Sequence, residues 1–252
     1  DNLSLLVSDT TETSSSISVA VANQYDLLTS GVITSKILET DAATLSTLTN
    51  NNSNNAYEIT IADTSITATN LNTIDGKTSV EVNATSVTTI TGSIADINTA
   101  YASSGITGLG DETITLSDST ISASDLNTFD TARGGTIDAS SIQTITGAIA
   151  DINAAYASSG ITGLGDETIT LSDSTISASD LNTFDTARGG TIDASSIQTI
   201  TGVIVDINAA YASSDITGLG DEAVIVTSPS SVADLNTLDG TTTGVITATV
   251  TE

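Results

Sequence analysis

The sequence predicts an α/β fold: a repeat solenoid of strand–helix coils, with a parallel sheet that carries short helices on one face. The first observation is a repeat, because residues 106–160 return almost unchanged as residues 161–215. The second is that each repeat contains short runs with the period of a strand and longer runs with the period of a helix. The third is the glycine that follows each helical run. The two copies differ at three positions only: Ala148 becomes Val203, Ala150 becomes Val205, and Gly160 becomes Asp215.

The first half of the repeat begins with an alternating strand around residues 113–117. Ile114 and Leu116 face one side of this strand, and threonine and serine face the other. A linker with one isoleucine leads to a helix over residues 122–133, with Ser122 as its start signal and Gly134 after its last turn.

The second half repeats this order. Ile137 and Ala139 face inward from a strand, and residues 146–159 form a helix with Ile149, Ile152 and Tyr156 along one stripe. Each half therefore predicts one coil of about 27 residues, half of the 55-residue period, and parallel strands joined by right-handed crossovers.

The same template divides the whole chain. Residues 1–30 hold N-terminal strands over Leu3–Val7 and Ile17–Val21, residues 31–243 hold the tandem repeats, and residues 244–252 hold a C-terminal strand without a helix after it. The repeat units are residues 51–105, 106–160, 161–215 and 216–243. Coils begin near Ile17, Val32, Ile59, Val80, Ile114, Ile137, Ile169, Ile192 and Val224.

The charge balance excludes several classes of partner. Four basic residues stand against 31 acidic ones, and the net charge of −27 repels nucleic acid and anionic lipid. No apolar run approaches the roughly 18 residues that a membrane-spanning helix needs. Cysteine and histidine are absent, which excludes disulfides and thiolate metal sites. The acidity fits either a solvated surface or the binding of cations, and the sequence leaves both open.

Repeated aspartates are the candidate metal ligands. They follow a strand, lie on its outward face, or stand in the turn GLGDE. Calcium is the candidate cofactor, because it takes six to eight oxygen ligands from carboxylates and carbonyls. The candidates are Asp63, Asp118, Asp173, Asp138, Asp193, Asp111, Asp166 and Asp221.

The other repeated residues favour structure over catalysis. A serine hydrolase needs a general base, and a chain with no histidine offers poor candidates. We therefore predict no enzymatic activity. Outward threonines would form ladders suited either to solvent or to ice and other crystalline surfaces. The repeated tyrosines predict packing between coils, and Arg133 and Arg188 are expected to pair with Asp130 and Asp185 or with an adjacent coil.

The phrases TITGSIADINTAYASSGITGLGDE (residues 89–112) and TITGAIADINAAYASSGITGLGDE (residues 144–167) resemble repeats of very large, acidic, cysteine-free surface and extracellular proteins of bacteria. The resemblance covers roughly residues 56–240. It implies a secreted adhesin, surface layer or extracellular filament, often with calcium. It implies no individual functional residue.

These observations predict a structural subunit of a bacterial extracellular filament or surface assembly. Copies of the chain would polymerise end to end through terminal strands, because solenoids stay monomeric only when their end coils are capped. The alternative is a repeat segment of an adhesin that depends on calcium or binds ice or another surface. Residues 1–8 are the predicted donor segment. The predicted assembly residues are Leu3, Leu5, Val7, Val245, Ile246 and Val250.

Overall fold

Short parallel strands alternate with short helices, so the predicted α/β class is confirmed. The computed structural model describes residues 5–6, 16–51 and 54–251. Contacts divide the chain into two compact units. Unit 1 comprises residues 1–118 and 132–138, and unit 2 comprises residues 119–131 and 139–252. We call one helix, together with the strands that precede it, a segment.

Unit 1 contains four helices and ten strands among its described residues. The helices are α1 (Val19–Leu28), α2 (Ala42–Leu45), α3 (Ala68–Asp75) and α4 (Ile94–Ala102). The strands are β1 (Leu5–Leu6), β2 (Ser16–Ile17), β3 (Ile33–Ile37), β4 (Ala56–Thr60), β5 (Ser65–Thr67), β6 (Val82–Asn83), β7 (Thr89–Gly92), β8 (Ile106–Thr107), β9 (Thr113–Leu116) and β11 (Ile137–Asp138), where β11 follows β10 of unit 2 (Thr120–Ser122) in chain order.

Unit 2 begins with β10 and continues the same alternation. Its helices are α5 (Ala123–Ala132, whose last residue belongs to unit 1), α6 (Ile149–Ala157), α7 (Ala178–Ala187), α8 (Ile204–Ala212) and α9 (Val232–Asp239). Its other strands are β12 (Thr144–Gly147), β13 (Ile161–Thr162), β14 (Thr168–Leu171), β15 (Thr175–Ser177), β16 (Ile192–Asp193), β17 (Thr199–Gly202), β18 (Ile216–Thr217), β19 (Ala223–Val226), β20 (Ser230–Ser231), β21 (Ile246–Thr247) and β22 (Val250–Thr251).

Alternation of apolar and polar residues places the strands as predicted. Ile114 and Leu116 are buried in β9, while Thr113 is exposed. Ile137 and Ala139 are buried in the same way. The pleat of a strand sends successive side chains to opposite faces, so isoleucines supply the core and threonines remain outside.

In unit 1, strands pair in the orders β1-β3-β4-β6-β8, with β2 also on β3, and β5-β7-β9-β11. The second sheet aligns one buried isoleucine on each strand: Ile66, Ile90, Ile114 and Ile137. In unit 2 the orders are β10-β12-β14-β16-β18, β15-β17-β19-β21 and β20-β22. Its first sheet aligns Ile121, Ile145, Ile169, Ile192 and Ile216.

The sequence separation of paired strands is shorter than the predicted length of one coil. Ile114 pairs with Ile90 on one side and with Ile137 on the other, and both lie closer in sequence than half of the repeat period. The reason is a second strand in each half, such as β10 and β12, in place of the predicted linker. From β4 onward, consecutive strands lie in different sheets, so β10 pairs with β12 and β9 with β11.

Both ends of the chain also differ from the predicted strands. The run Ile17–Val21 is strand only at its start, because Ser18 caps α1 through the N–H of Val21. The predicted C-terminal strand is two short strands, β21 and β22, in two different sheets.

The helices α5 and α6 begin and end close to the predicted positions. Ser122 accepts the N–H of Asp125 at 3.4 Å, as its place before the helix predicts. Helix α5 buries Leu126 and Phe129, and α6 buries Ile152. Such short helices are marginal in isolation, so this buried stripe stabilises them through packing.

Candidate functional site

Three of the predicted metal ligands bind the ends of helices. In each case Oδ2 of the aspartate accepts the N–H of the first residue of a helix in the preceding segment. The first N–H groups of a helix have no partner within it, and its positive end favours an anion. The pairs are Asp63 with Ala42 at 2.7 Å, Asp118 with Ile94 at 2.8 Å and Asp173 with Ile149 at 2.8 Å.

Helix α6 depends most on this contact. The residue before it, Ala148, makes no side-chain capping bond, whereas Ser93 caps α4 through the N–H of Asp96 at 3.1 Å. Asp173 therefore provides the side-chain oxygen that α6 lacks in its own segment.

A second group of candidates stabilises turns and close contacts. Oδ1 of Asp193 accepts the N–H of Ser195 at 3.0 Å, and hydrogen bonds from the Ser195 side chain and backbone lower the pKa of Asp193. Asp138 stands at the equivalent position of the preceding repeat.

Asp111 and Asp166 lie against glycines of the following segment. A Cβ atom added to Gly134 would lie 2.3 Å from Oδ1 of Asp111, and one added to Gly189 would lie 2.7 Å from Oδ1 of Asp166. In the third copy of this turn, a Cβ atom on Gly244 would lie 3.0 Å from the backbone oxygen of Asp221. Because glycine has no Cβ atom, the carboxylates of Asp111 and Asp166 and the backbone oxygen of Asp221 can lie close to these glycines.

The structure does not gather the predicted aspartates into one cluster. Within residues 16–51 and 54–251, no three acidic side chains converge in a group that could hold a metal ion. Calcium binding at the eight aspartates stays a prediction.

Sequence reasoning missed a buried acidic group. Glu112 and Glu167 are 6% exposed and Glu222 is 2% exposed. The hydroxyl of Tyr101 donates to Oε2 of Glu112 at 2.5 Å, and the N–H of Gly110 lies 2.9 Å from both carboxylate oxygens. The signal was available in the sequence, because a tyrosine precedes each of these glutamates at the same spacing.

The same contacts recur around Glu167. Tyr156 donates its hydroxyl to Oε2, and the N–H of Gly165 lies 2.9 Å from each oxygen. Burial is the main cause that raises the pKa of Tyr101 and of Tyr156 well above the usual range, and the hydrogen bond to glutamate adds to it.

The arginines stack on these tyrosines. The guanidinium carbon of Arg133 lies 3.7 Å from the ring centre of Tyr101, and that of Arg188 lies 3.8 Å from the ring centre of Tyr156. The predicted ion pair of Arg188 with Asp185 does not form in the described part of the chain. The aromatic face attracts the cation, and its hydroxyl is already bonded to the carboxylate.

This Tyr–Glu–Arg cluster binds segments together. Tyr101 belongs to α4, Glu112 to the turn before β9, and Arg133 follows α5. Gly135 comes so close to this turn that an added Cβ atom would lie 2.0 Å from the backbone oxygen of Glu112. The carboxylate is buried and already accepts hydrogen bonds from Tyr101 and Gly110, so the geometry favours a structural role.

The predicted assembly residues lie in different environments. Leu5 is in β1 and pairs with Ile33 of the same chain, while Leu3 and Val7 lie outside the described residues. Ile246 pairs with Val224 at the last strand of its sheet. Val245 and Val250 are 75% and 55% exposed.

Exposed large apolar side chains concentrate in two parts of the chain. Between residues 81 and 204, all of which are described, none is exposed. Among the residues whose exposure the structure describes, the exposed ones are Leu27, Leu28, Leu38 and Val80 in unit 1 and Val205, Ile225, Val232, Val245 and Val250 in unit 2.

Hydroxyl side chains form registered columns on the sheet of unit 2. Thr120, Thr144 and Thr168 are aligned across three adjacent strands. A second column, two positions further along each strand, contains Ser122, Thr146 and Thr170. Neighbouring strands lie about 4.8 Å apart, so the hydroxyls repeat at that distance.

No protein-family model matches the chain. No curated protein or solved structure with which it was compared matches it either. Among the described residues, no helix has both the length and the apolar character required to cross a bilayer. The contacts between segments are therefore the basis on which a function is proposed.

Proposed function

We propose that this chain is a structural repeat protein: a strand–helix solenoid that forms a subunit of an extracellular filament or surface assembly. The observation that carries the proposal is that the repeated polar side chains form hydrogen bonds to neighbouring segments and turns. The carboxylates of Asp118, Glu112 and Asp75 all bond to a neighbouring segment or turn. Residues that recur in successive repeats thus make contacts between segments, which supports a role in stacking over repeated copies of an active site.

The solenoid interpretation rests on three kinds of bond between successive segments. Parallel strands pair at a nearly constant sequence separation in the central sheets, as Ile114 does with Ile90 and Ile137. Aspartates cap the helix of the preceding segment, and tyrosine, glutamate and arginine join three successive elements. In a solenoid each repeat contacts its neighbours, so such contacts provide most of the stability.

Assembly of copies end to end is supported by the two strands that follow α9. In the described part of the chain, β21 and β22 each pair on one side only. Edge strands carry unpaired N–H and C=O groups that accept a further strand. Val245 and Val250 add exposed apolar surface beside these edges. Contacts between different surfaces of identical copies propagate into filaments.

A secreted bacterial location belongs to the same proposal. Its support is the acidic, cysteine-free composition and the resemblance of the repeat phrases to bacterial surface proteins. High net charge keeps such a chain soluble and opposes non-specific association.

The test is the assembly of the purified chain, observed by negative-stain electron microscopy and sedimentation velocity. We expect filaments from the wild type and monomers after deletion of residues 1–8. Val245→Asp with Val250→Asp should also prevent filaments, because carboxylates would replace exposed apolar groups at an edge. Val80→Asp, at a residue that is 41% exposed in unit 1, is the matched control and should assemble normally.

The proposal would be refuted if the wild-type chain stays monomeric up to millimolar concentration. Filaments from the chain lacking residues 1–8 would remove the donor-segment hypothesis but leave end-to-end assembly standing. In the described residues, Leu5 pairs with Ile33 of its own chain, so donation to a second copy requires exchange of this strand.

The registered hydroxyl columns favour a second candidate function, binding to ice or another crystalline surface. A regular spacing of hydroxyl groups matches a periodic solid better than it matches a single soluble ligand. Thr144→Tyr would interrupt the first column while keeping a residue that favours strands. Inhibition of ice recrystallisation by the wild type, and its loss in this variant, would support this candidate. If the wild type does not inhibit ice recrystallisation, ice is excluded as the surface that the protein binds.

A further inference from the structure

Helices in alternate segments share an asparagine that reaches forward to the next helix. It is the fifth residue of its helix, and its Nδ2 donates to the carbonyl of the third residue of the following helix. The contact recurs in both units with nearly constant length. The pairs are Asn72 with Asp96 at 2.9 Å, Asn127 with Asp151 at 2.8 Å and Asn182 with Asp206 at 2.8 Å.

The eighth residue of the same helices is an aspartate that also bonds forward. Its Oδ2 accepts the hydroxyl of a serine that lies just after the following helix. The pairs are Asp75 with Ser103 at 2.7 Å, Asp130 with Ser158 at 2.7 Å and Asp185 with Ser213 at 2.9 Å.

The first residue of these helices is a fully buried alanine: Ala68, Ala123 or Ala178. A glycine of the following segment covers it in each case. A Cβ atom on Gly92 would lie 3.0 Å from the Cβ of Ala68, and one on Gly202 would lie 3.2 Å from that of Ala178.

Helix α9 has the same pattern without the partners. Its fifth residue is Asn236 and its eighth is Asp239, and both are exposed. Within the described residues, neither side chain makes a hydrogen bond or ion pair. Its first residue is Val232, which is 57% exposed where the alanines are buried.

We propose that this face of α9, formed by Val232, Asn236 and Asp239, docks helix α1 of a second copy of the chain. This inference rests on the proposed function and names the contact that joins two subunits. In the proposed contact, Nδ2 of Asn236 donates to the carbonyl of Val21, which is the third residue of α1.

Helix α1 fits this role because its forward face is already engaged. Nδ2 of Asn23 donates to the carbonyl of Thr47 at 3.0 Å, and the Asp26 carboxylate accepts the N–H of Asn51. Its other face is therefore the one that a preceding segment would contact.

The test compares one variant at α9 with its internal counterpart. Asn236→Ala with Asp239→Ala should leave the melting temperature of the monomer unchanged, because these side chains bond to nothing in the described chain. Asn182→Ala with Asp185→Ala should lower it, because both bonds to the next segment are lost. Loss of the hydrogen bond from Asn236 to Val21 should weaken association of copies by about 5-fold in sedimentation equilibrium. Thr237→Ala, exposed on the same helix, is the control and should associate like the wild type.

Each result decides one question. Association of the double variant at α9 with wild-type affinity overturns this inference and leaves end-to-end assembly intact. A wild type that never associates overturns the proposed function and this contact together. Weakened association with an unchanged melting temperature, and a normal Thr237→Ala control, supports the α9 contact.

Discussion

Replacing Asp173 by alanine distinguishes between two roles of this residue: helix capping, which the structure shows, and metal binding, which the sequence predicted. Oδ2 of Asp173 lies 2.8 Å from the N–H of Ile149, the first residue of α6. Ala148, which precedes this helix, makes no side-chain cap. The variant therefore leaves the N-terminus of α6 without a side-chain acceptor.

The expected cost follows from two effects of the lost carboxylate. A hydrogen bond to a charged acceptor contributes about 1.5–3 kcal/mol, and loss of a helix cap typically costs about 1 kcal/mol. Asp173 is half-buried, so solvent screens part of its charge and the loss should be about 1.5 kcal/mol. For a protein of this size that corresponds to a fall in melting temperature of about 3–6 °C.

Thermal unfolding followed by circular dichroism, in calcium and in EDTA, measures the effect. Capping predicts the same loss in both buffers. Asp118→Ala should cost less, because Ser93 still caps α4. Recovery of stability in the double variant Ala148→Ser with Asp173→Ala would add support. A loss seen only in calcium would refute the capping explanation and restore Asp173 as a metal ligand.

Three further predictions concern packing, caps and alkaline pH. Gly190→Ala should cost about 3 kcal/mol by urea denaturation, because the new Cβ atom would lie 2.0 Å from the backbone oxygen of Glu167, whereas Gly165→Ala has open space and should be neutral. Val203→Ser should stabilise the protein by about 1 kcal/mol in the same assay, because the residue before α8 lacks a capping side chain. Burial raises the pKa of Tyr57 and of Tyr211 to about 12 from 10.0, so the folded state holds these protons more tightly. Stability should therefore fall as pH rises from about 10 through 12, with phenolate absorbance appearing together with unfolding; ionisation of all tyrosines near pH 10 in the folded protein would contradict this.

Local elements were predictable because each depends on a short stretch of sequence. Ile114 and Leu116 alternate with threonines, and Leu126 and Phe129 fall one turn apart. These patterns report which face of an element is buried, and the structure buries those residues. Ser122 likewise acts at the start of α5 as its position predicts.

Strand pairing was not predictable from the repeat length. The period describes where the sequence repeats, whereas pairing depends on how far the chain travels before it returns to the same sheet. The strands around Ile121 and Ile145 are so short that their residue pattern does not distinguish strand from linker. These two strands nevertheless pair with each other, with Ile121 beside Ile145.

The partners of the charged residues also could not be predicted from the sequence. Arg188 follows Asp185 closely in sequence, which favoured an ion pair, yet its guanidinium stacks on Tyr156. Tyr156 lies in an earlier helix, and only the return of the chain brings the two side chains together. Surface ion pairs contribute little, so an arginine gains more from packing on a half-buried ring.

The differences between the near-identical repeats bear on the proposed assembly. Val205 replaces Ala150 on α8 and is 67% exposed, although an apolar side chain on a solvated surface gains nothing there. Ser228 stands where Asp173 caps the preceding helix, and Val232 replaces an alanine that is buried in three other helices. All of these changes fall in the last third of the chain. Apolar side chains on a surface that faces only solvent gain no stability from burial, whereas on a surface that contacts another segment they are buried and stabilise the contact.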